Sequence, residues 1–417
     1  MTRTSPAARA GRRAALAGAL LVPLALVGAC SSGGSGGDGG QARVAPAAVP
    51  SGPDTFRHPG VVVGGRQLKT VREKVAAGAQ PWKGAYEAMR RSRYAAPDYA
   101  PQPAKVVACA SNAGTPACVA ERQDAIAAYT QALLWQITGN PAHAKKAVAI
   151  MDAWSGTIKE HTRDDADLQT AWSGSSWARA AEIVHATYPQ WQGPAVQRFK
   201  WMLRKAYLPA VTANVPDYNG NWELAMTDAA IGMAVFLEDH ELFDESVRRF
   251  EARVPAYFYL SSDGPVPKRP PGGTIDTPAE LATYWFGMRT YEDGLGQETC
   301  RNFMHIGYSL AATSHIAETA WHQGVDLYAG QAERLKAALE FHARYQLGEA
   351  APKWLCGGKV ERTMGPDVEV ALNHLKGRLH MDLPQTEKLA AKQRPAGTDD
   401  LFVAWETLTH ADNPSAL

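Results

Sequence analysis

From about Arg66 onward, apolar residues recur at i, i+3, i+4 and i+7, the spacing that lines one face of an α-helix. The segments 66–78, 81–93, 121–139, 141–158, 168–186 and 195–211 carry this pattern, and 221–239, 240–260, 297–310 and 331–348 continue it, with weaker helices near Val368, Thr386 and Leu401. Several open on Pro and close near Gly, the asymmetry that helix ends prefer. Period-two alternation is scarce, so few strands are expected. The helices fall into consecutive hairpins, spaced by roughly 40–50 residues with no repeated motif. Hairpins that cannot close a core alone either stack in a line or curl into a ring. Long irregular inserts such as 260–278 suit the rim of a central cleft, which predicts the ring: an all-α (α/α) toroid, an incomplete barrel of about six to seven helical hairpins. An open solenoid is the competing arrangement.

One segment departs from the ordinary amphipathic pattern. In "QETCRNFMHIGYSL", read as helix, Glu298, Arg301, His305, Tyr308 and, further on, His315 share about a third of the circumference, while Phe303, Ile306, Leu310, Ala317 and Trp321 lie opposite. Outer faces elsewhere look like "AERLKAAL" or "ESVRRFEAR", rich in Lys, Glu and Arg. A trio of Arg, His and Tyr without Lys is different in kind and predicts a face that lines a cleft. A second unusual stretch is "PDYNGNWELAMTDA", where Asn219, Gly220, Asn221 and Trp222 form a turn feeding a helix. Helix capping accounts for one asparagine but not both. Two amides beside an indole suit a sugar. A third cluster, "LQTAWSGSSWARAAE", offers Trp172, Trp177 and Arg179, with core packing the competing role for at least one Trp.

Charge and cysteines narrow the setting. Lys+Arg 43 against Asp+Glu 42 leave a net charge of +1 over 417 residues, which argues against a nucleic-acid binder or a polybasic membrane-surface protein. Any charged ligand must therefore be met locally. The first 29 residues have a basic start, an apolar run from Ala14 to Val27 and small residues ahead of Cys30, the pattern of an exported lipoprotein with Cys30 acylated at the outer face of the cell membrane, with plain secretion the alternative. Residues 30–55 read as a Gly/Ser-rich tether and 56–417 as a single domain, so the membrane is met only through the lipid anchor at Cys30. Beyond Cys30, the even set Cys109, Cys118, Cys300 and Cys356 in an oxidising compartment reads as two disulfides, Cys109 with Cys118 across a short polar loop and Cys300 with Cys356. A zinc site is the rival reading, without a CxxC spacing behind it. A monomer is expected.

Amides, Arg, His and Tyr, without an obvious carboxylate pair or metal cluster, fit elimination across a uronic acid. The C5 proton becomes removable once the negative C6 carboxylate is masked, in the manner of an oxyanion hole, by an Asn amide, a His or an Arg. A base then takes the proton and an acid protonates the departing O4. Tyrosine serves in either role if a nearby cation lowers its pKa from about 10, and Arg301 is expected to be that cation. No cofactor or metal is required.

The chain resembles the alginate-lyase superfamily of helical toroids, most closely an exported branch that includes polysaccharide lyase family 38, whose members cleave alginate or glucuronan. The resemblance runs from "HPGVVVGGRQLKTVREKVAAGAQPW" through "NGNWELAM" and "QETCRNFMHIGYSLAA" to "ETAWHQGVDLY" and "AWETLTH". It implies a lyase acting on an anionic polysaccharide, with the asparagine turn (Asn219 or Asn221) and Arg301 masking the carboxylate and His305 and Tyr308 near the chemistry. Asn302 and Cys300 depart from the Asp and Gly usual in the family pattern. Trp222, Trp172, Trp177, Arg179, Tyr284 and, with Asn373, His374 are candidate substrate contacts, and Glu298 is one that more naturally orients Arg301. Two alternatives remain: a glycoside hydrolase on the same toroid, drawing its paired carboxylates from Asp217, Glu223, Asp228 and Glu298, and a lipoprotein that binds polysaccharide without turnover.

Overall fold

The computed structural model describes residues 52–110 and 115–413, all within one compact unit spanning 48–417. The expected leader, Cys30 and most of the expected tether lie outside the described residues.

The fold is set by four helices that are buried all round: α3 (Pro116–Thr138), α5 (Ala166–Thr187), α8 (Gly220–Leu237) and α11 (Phe303–His322). Each packs on the next, α3 on α5, α5 on α8 and α8 on α11. Their sequences are rich in Ala, Ser, Gly and Thr, which lets backbones approach closely and leaves no purely solvent face. Outside them lie α4 (Pro141–Ser155), α6 (Pro194–Met202), α9 (His240–Tyr257) and α12 (Ala332–Gln346), of which α9 and α12 carry charged outer faces. Local chemistry sets the ends. Thr115 caps α3, with Pro116 in its first turn and Gly139 left-handed at φ 68° after its last, while Asn140 caps α4 and Asp239 caps α9.

The open solenoid is excluded by the way the ends of the row meet. Helix α13 (Glu369–Gly377) packs on α11, the short α15 (Glu406–Thr409) joins α13 to α1 (Gly65–Ala76) and α2 (Trp82–Arg91), and α1 returns to α3. The row therefore curls back on itself as a toroid, bridged at its seam only by the four-residue α15. A buried polar network ties its middle: Arg179 donates to Asp228 (2.9 Å) and to the Phe402 carbonyl (2.8 Å), and His315 reaches Asp228 (3.2 Å) and Glu406 (2.6 Å). Four distant stretches meet there, so breaking one partner strands the others in a dry interior.

Four features differ from the sequence reading. A hairpin of β1 (Gly60–Val61) and β2 (Val63–Gly64) plugs the end of the ring at the C-terminal ends of α5 and α11. Its tip is held by Val62 N donating to Thr319 (3.1 Å) and by His322 and His410 meeting the Val62 carbonyl (each 3.2 Å). A parallel pair, β3 (Val106–Ala108) with β4 (Glu160–Thr162), sits beside α3. The insert after α9 contains α10 (Pro278–Tyr284), and the helix expected near Leu401 is the four-residue α15. The remaining helices are α7 (Leu208–Val211), which continues α6 through a widened turn, and α14 (Pro384–Gln393). Both cysteine pairs are disulfides, Cys109–Cys118 and Cys300–Cys356. The end of the ring opposite the plug carries the N-terminal ends of α5, α8 and α11.

Candidate active site

Arg301 does not lie on α11, as the helical reading had it. The helix begins at Phe303, and residues 297–302 form a turn ahead of it. Asn302 ends the turn by capping α11, its Oδ1 accepting from His305 N at 3.1 Å. The turn is stitched to the asparagine loop of α8 by two buried side chains. Gln297 accepts from Gly220 N (3.1 Å) and donates to Asn219 Oδ1 (3.2 Å). Glu298, fully buried, is the centre of the arrangement: Oε2 accepts from Asn221 Nδ2 (2.6 Å) and the Tyr257 hydroxyl (3.0 Å), and Oε1 accepts from Arg301 Nη1 (2.7 Å). One carboxylate thus fixes both the amide and the guanidinium through short, charge-assisted bonds. Gly220 is needed for this approach, because a Cβ there would sit 2.3 Å from the Tyr257 ring. Arg301 keeps about a third of its side chain exposed, 34 %, leaving donors for a ligand.

His305 and Tyr308 follow one turn apart on α11. Asn302 Oδ1 also takes His305 Nδ1 at 2.6 Å, and since that oxygen only accepts, Nδ1 carries the hydrogen and Nε2 presents a lone pair. Burial, with the Arg301 charge adding to it, brings the His305 pKa down to about 4, so the ring is neutral near pH 7. Tyr308 is 8 % exposed and boxed by edge contacts with Trp172 (5.8 Å between centroids), Phe402 (6.1 Å) and His305 (5.7 Å). Its hydroxyl makes no hydrogen bond to any described residue. Gly307, between the two, lies under Asp367, whose Oδ2 would be 1.9 Å from a Cβ.

The electrostatics correct one expectation. Arg301 was to bring the Tyr308 pKa down, but burial, then the Asp399 and Asp367 carboxyls, raise it, and Arg122 and Arg301 only partly offset them. Tyr308 is therefore a firmly protonated phenol, poised as an acid. Asp399 accepts backbone N–H bonds from Leu401, Phe402 and Val403 through Oδ1 (2.8–3.0 Å), yet its Oδ2 is shut away from solvent without a partner, and burial lifts its pKa to about 6. Asp367 is fully buried among such neighbours and is driven further toward its neutral form, again by burial first.

Against this geometry the comparisons with known proteins can be set. The alginate lyase family model matches residues 71–268, from α1 through the Asn219–Asn221 turn to the insert after α9. Over that stretch, just under half of the chain, the sequence is similar to alginate lyases. Among solved structures it is similar in fold to alginate lyase A1-III from Sphingomonas species A1 (TM-score 0.58, 16 % identity, covering 86 % of this chain and 97 % of that one). A tyrosine-to-phenylalanine variant of that enzyme complexed with tetrasaccharide gives a TM-score of 0.60 at 16 % identity, with the same coverage. An alginate lyase from Bacteroides ovatus gives 0.56 at 13 % identity, over 80 % of this chain and 95 % of that one. No curated protein matches the sequence.

Not every candidate residue gathers at the site. Trp172 does, with Arg122 at 5.8 Å over its ring. Trp222 is partly buried beside Tyr218, and the Tyr284 hydroxyl accepts from Arg253 (3.1 Å) and donates to the Tyr218 carbonyl (2.8 Å), so both border the asparagine turn. Trp177 is instead fully buried against Trp154 and Phe199, Arg179 belongs to the network inside the ring, and His374 is stacked on Tyr328 beside Arg378 and Glu318. Nor does Glu298, a candidate contact by sequence, have any exposed surface for a ligand. Asn373 donates to the Asn413 carbonyl near the C-terminus (3.5 Å). The carboxylates that a hydrolase would need are committed: Asp217 to Thr274 (2.8 and 3.0 Å), Glu223 to Arg253, Asp228 to Arg179, and Glu298 as described. Sequence reading missed Arg122, Asp399 and Tyr257, which come from stretches with ordinary amphipathic or loop character. Among the described residues no group of three or more His, Cys, Asp or Glu side chains is arranged to hold a metal ion.

Proposed function

We propose that the chain is a polysaccharide lyase that cleaves a 1,4-linked polyuronate, alginate or glucuronan, by β-elimination. The observation that carries this reading is the Glu298 clamp: one buried carboxylate holds Asn221 and Arg301 beside a neutral His305 and a protonated Tyr308. Arg301 and Asn219, both partly exposed, meet the substrate C6 carboxylate and stabilise the charge that builds on it as the C5–H bond breaks, while the buried Asn221 amide fixes Glu298 beneath Arg301. His305 Nε2 accepts the C5 proton. The electron pair forms the C4=C5 double bond, the C4–O4 bond breaks, and the Tyr308 hydroxyl protonates the departing oxygen. Products are a chain ending in an unsaturated uronate and a chain with a free anomeric hydroxyl. Proton return from His305 to Tyr308, neighbours on one helix face, resets the site.

The base and the acid lie one helical turn apart, so they reach the sugar from one side. This arrangement suits a uronate whose C5–H and C4–O4 bonds lie on the same side of the ring, as in mannuronate and glucuronate, over guluronate. The family match and the oligosaccharide complexes of the structural neighbour support a polysaccharide substrate, and the leader ending at Cys30 supports export with a lipid anchor. Incubation of the chain without its leader with polymannuronate, polyguluronate and glucuronan, followed by the ultraviolet absorbance of the new double bond, tests the reading. Absorbance on none of the three would overturn it.

A further inference from the structure

On the far side of Arg301 from the asparagine turn lies a groove of about 660 Å³, lined by Phe286, Cys300, Arg301, Cys356, Lys359 and Arg362 among others. Its walls are built to hold shape. The Cys300–Cys356 disulfide joins the turn that bears Arg301 to the loop after α12. That loop is anchored to the start of α11 by Phe303 N donating to the Glu361 carbonyl (3.0 Å) and Met304 N to Thr363 Oγ1 (3.0 Å). On its other side Arg362 donates to the carbonyls of Tyr345 (2.6 Å) and Glu349 (2.8 Å). Because those acceptors are neutral, Arg362 keeps its charge uncompensated, and Lys359 is exposed with no ion-pair partner among the described residues. With Arg301 already matched by Glu298, two cations face one carboxylate, Glu361, in this groove. Phe286 adds an aromatic ring that is 38 % exposed, on a backbone held at φ 54°, a conformation disfavoured for a bulky side chain unless its surroundings impose it.

We propose that this groove is a further sugar subsite, taking a uronate residue beyond the one whose C5 proton is removed. Lys359 meets its carboxylate and the Phe286 ring covers its apolar face. The inference rests on the lyase reading for its ligand class, because Arg301 is shared between the groove and the catalytic constellation. A channel preformed by a disulfide and backbone hydrogen bonds loses little entropy on binding, and its positive charge selects an anionic chain over a neutral one.

The test uses the Tyr308→Phe protein, whose turnover is expected to be at least about a hundredfold slower, and calorimetric titration with a mannuronate trimer and hexamer. Introducing Lys359→Glu weakens the hexamer about five- to tenfold and the trimer less, so the length preference collapses, and added salt narrows the difference. Phe286→Ala acts in the same direction, and Lys69→Glu on the exposed face of α1 serves as a charge control. Unchanged hexamer affinity, or equal weakening of trimer and hexamer, overturns the subsite. If the wild-type chain cleaves polyuronate but the length preference is unmoved by Lys359→Glu, the groove proposal falls alone. If Lys359-dependent, length-dependent binding occurs while the wild type forms no double bond, the lyase reading falls and the groove stands. Absence of any binding sinks both.

Discussion

Replacing Tyr308 by Phe removes one oxygen from the centre of the proposed chemistry and little else. The ring is held by edge contacts with Trp172, Phe402 and His305, none of which involves the hydroxyl, and the hydroxyl makes no hydrogen bond to a described residue. The variant should therefore fold like the wild type, within about 0.5 kcal/mol, a shift of roughly 1–2 °C in Tm for a chain of this size. Its chemistry should not survive in the same way. Positioned general acids contribute about 10²–10⁴-fold, so kcat should fall by that factor, about 3–5 kcal/mol of barrier. KM should change by less than about tenfold, because the carboxylate contacts of Arg301 and the asparagine turn are untouched. The assay is the initial rate of double-bond formation on polymannuronate or glucuronan, paired with thermal unfolding. A kcat loss smaller than about tenfold in a folded variant would refute the assignment of Tyr308 as the acid. A collapse in Tm would instead show that the hydroxyl supports the scaffold.

Four further outcomes follow from the same geometry. Glu298→Gln keeps the volume but removes the charge that gathers Asn221, Tyr257 and Arg301, so kcat/KM should fall about 10²-fold and stability by about 1–3 kcal/mol; an unchanged kcat/KM would mean that the clamp is not needed. His305 works as a base only when neutral, so kcat/KM should decline as pH falls through about 4, and Arg301→Gln, which removes a charge that depresses the His305 pKa, should move this limb upward in whatever activity remains. The same sign governs folding. His305, His342 and His410 all have pKa values brought down to about 4, chiefly by burial, so the unfolded chain binds more protons below pH 6.5, and stability measured by urea titration should be lost as pH drops from about 6.5 toward 4. Cys300→Ser with Cys356→Ser opens a closure of 56 residues, worth about 4 kcal/mol in the chain-entropy account, and should also lower kcat by loosening the turn that bears Arg301; equal Tm and kcat with and without the bridge would count against both effects.

Much of the site could be read from the order of residues because its parts are locally encoded. Asn302 caps a helix that the 3.6-residue period already announced, and His305 and Tyr308 fall on one face of it by spacing alone. The asparagine turn is visible as Asn-Gly-Asn ahead of an apolar run. Where the reading went astray, a long-range approach had intervened. Extending the helical period back to Glu298 put Arg301 on α11, whereas the Glu298 contacts to Asn221 and Tyr257 hold that stretch as a turn. Trp177 and Arg179 sit one and two turns beyond Trp172 on α5, and the same helix carries them from the cleft into the packed interior of the ring.

What the sequence determines by itself is the set of helices, their caps, the pairing of neighbouring cysteines and the residue types that suit an acidic sugar, since each depends on neighbours a few positions away. Closure of the ring through α15, the burial of Glu298 beneath Arg301, and the approach of Arg122 and Asp399 to Tyr308 were decided only in three dimensions. The charge state of a side chain depends on how much water surrounds it and which charges face it, and for Tyr308 both come from segments distant in the chain. That is why the phenol whose position the helical period predicted proved to be held protonated, rather than made more acidic, by the fold around it.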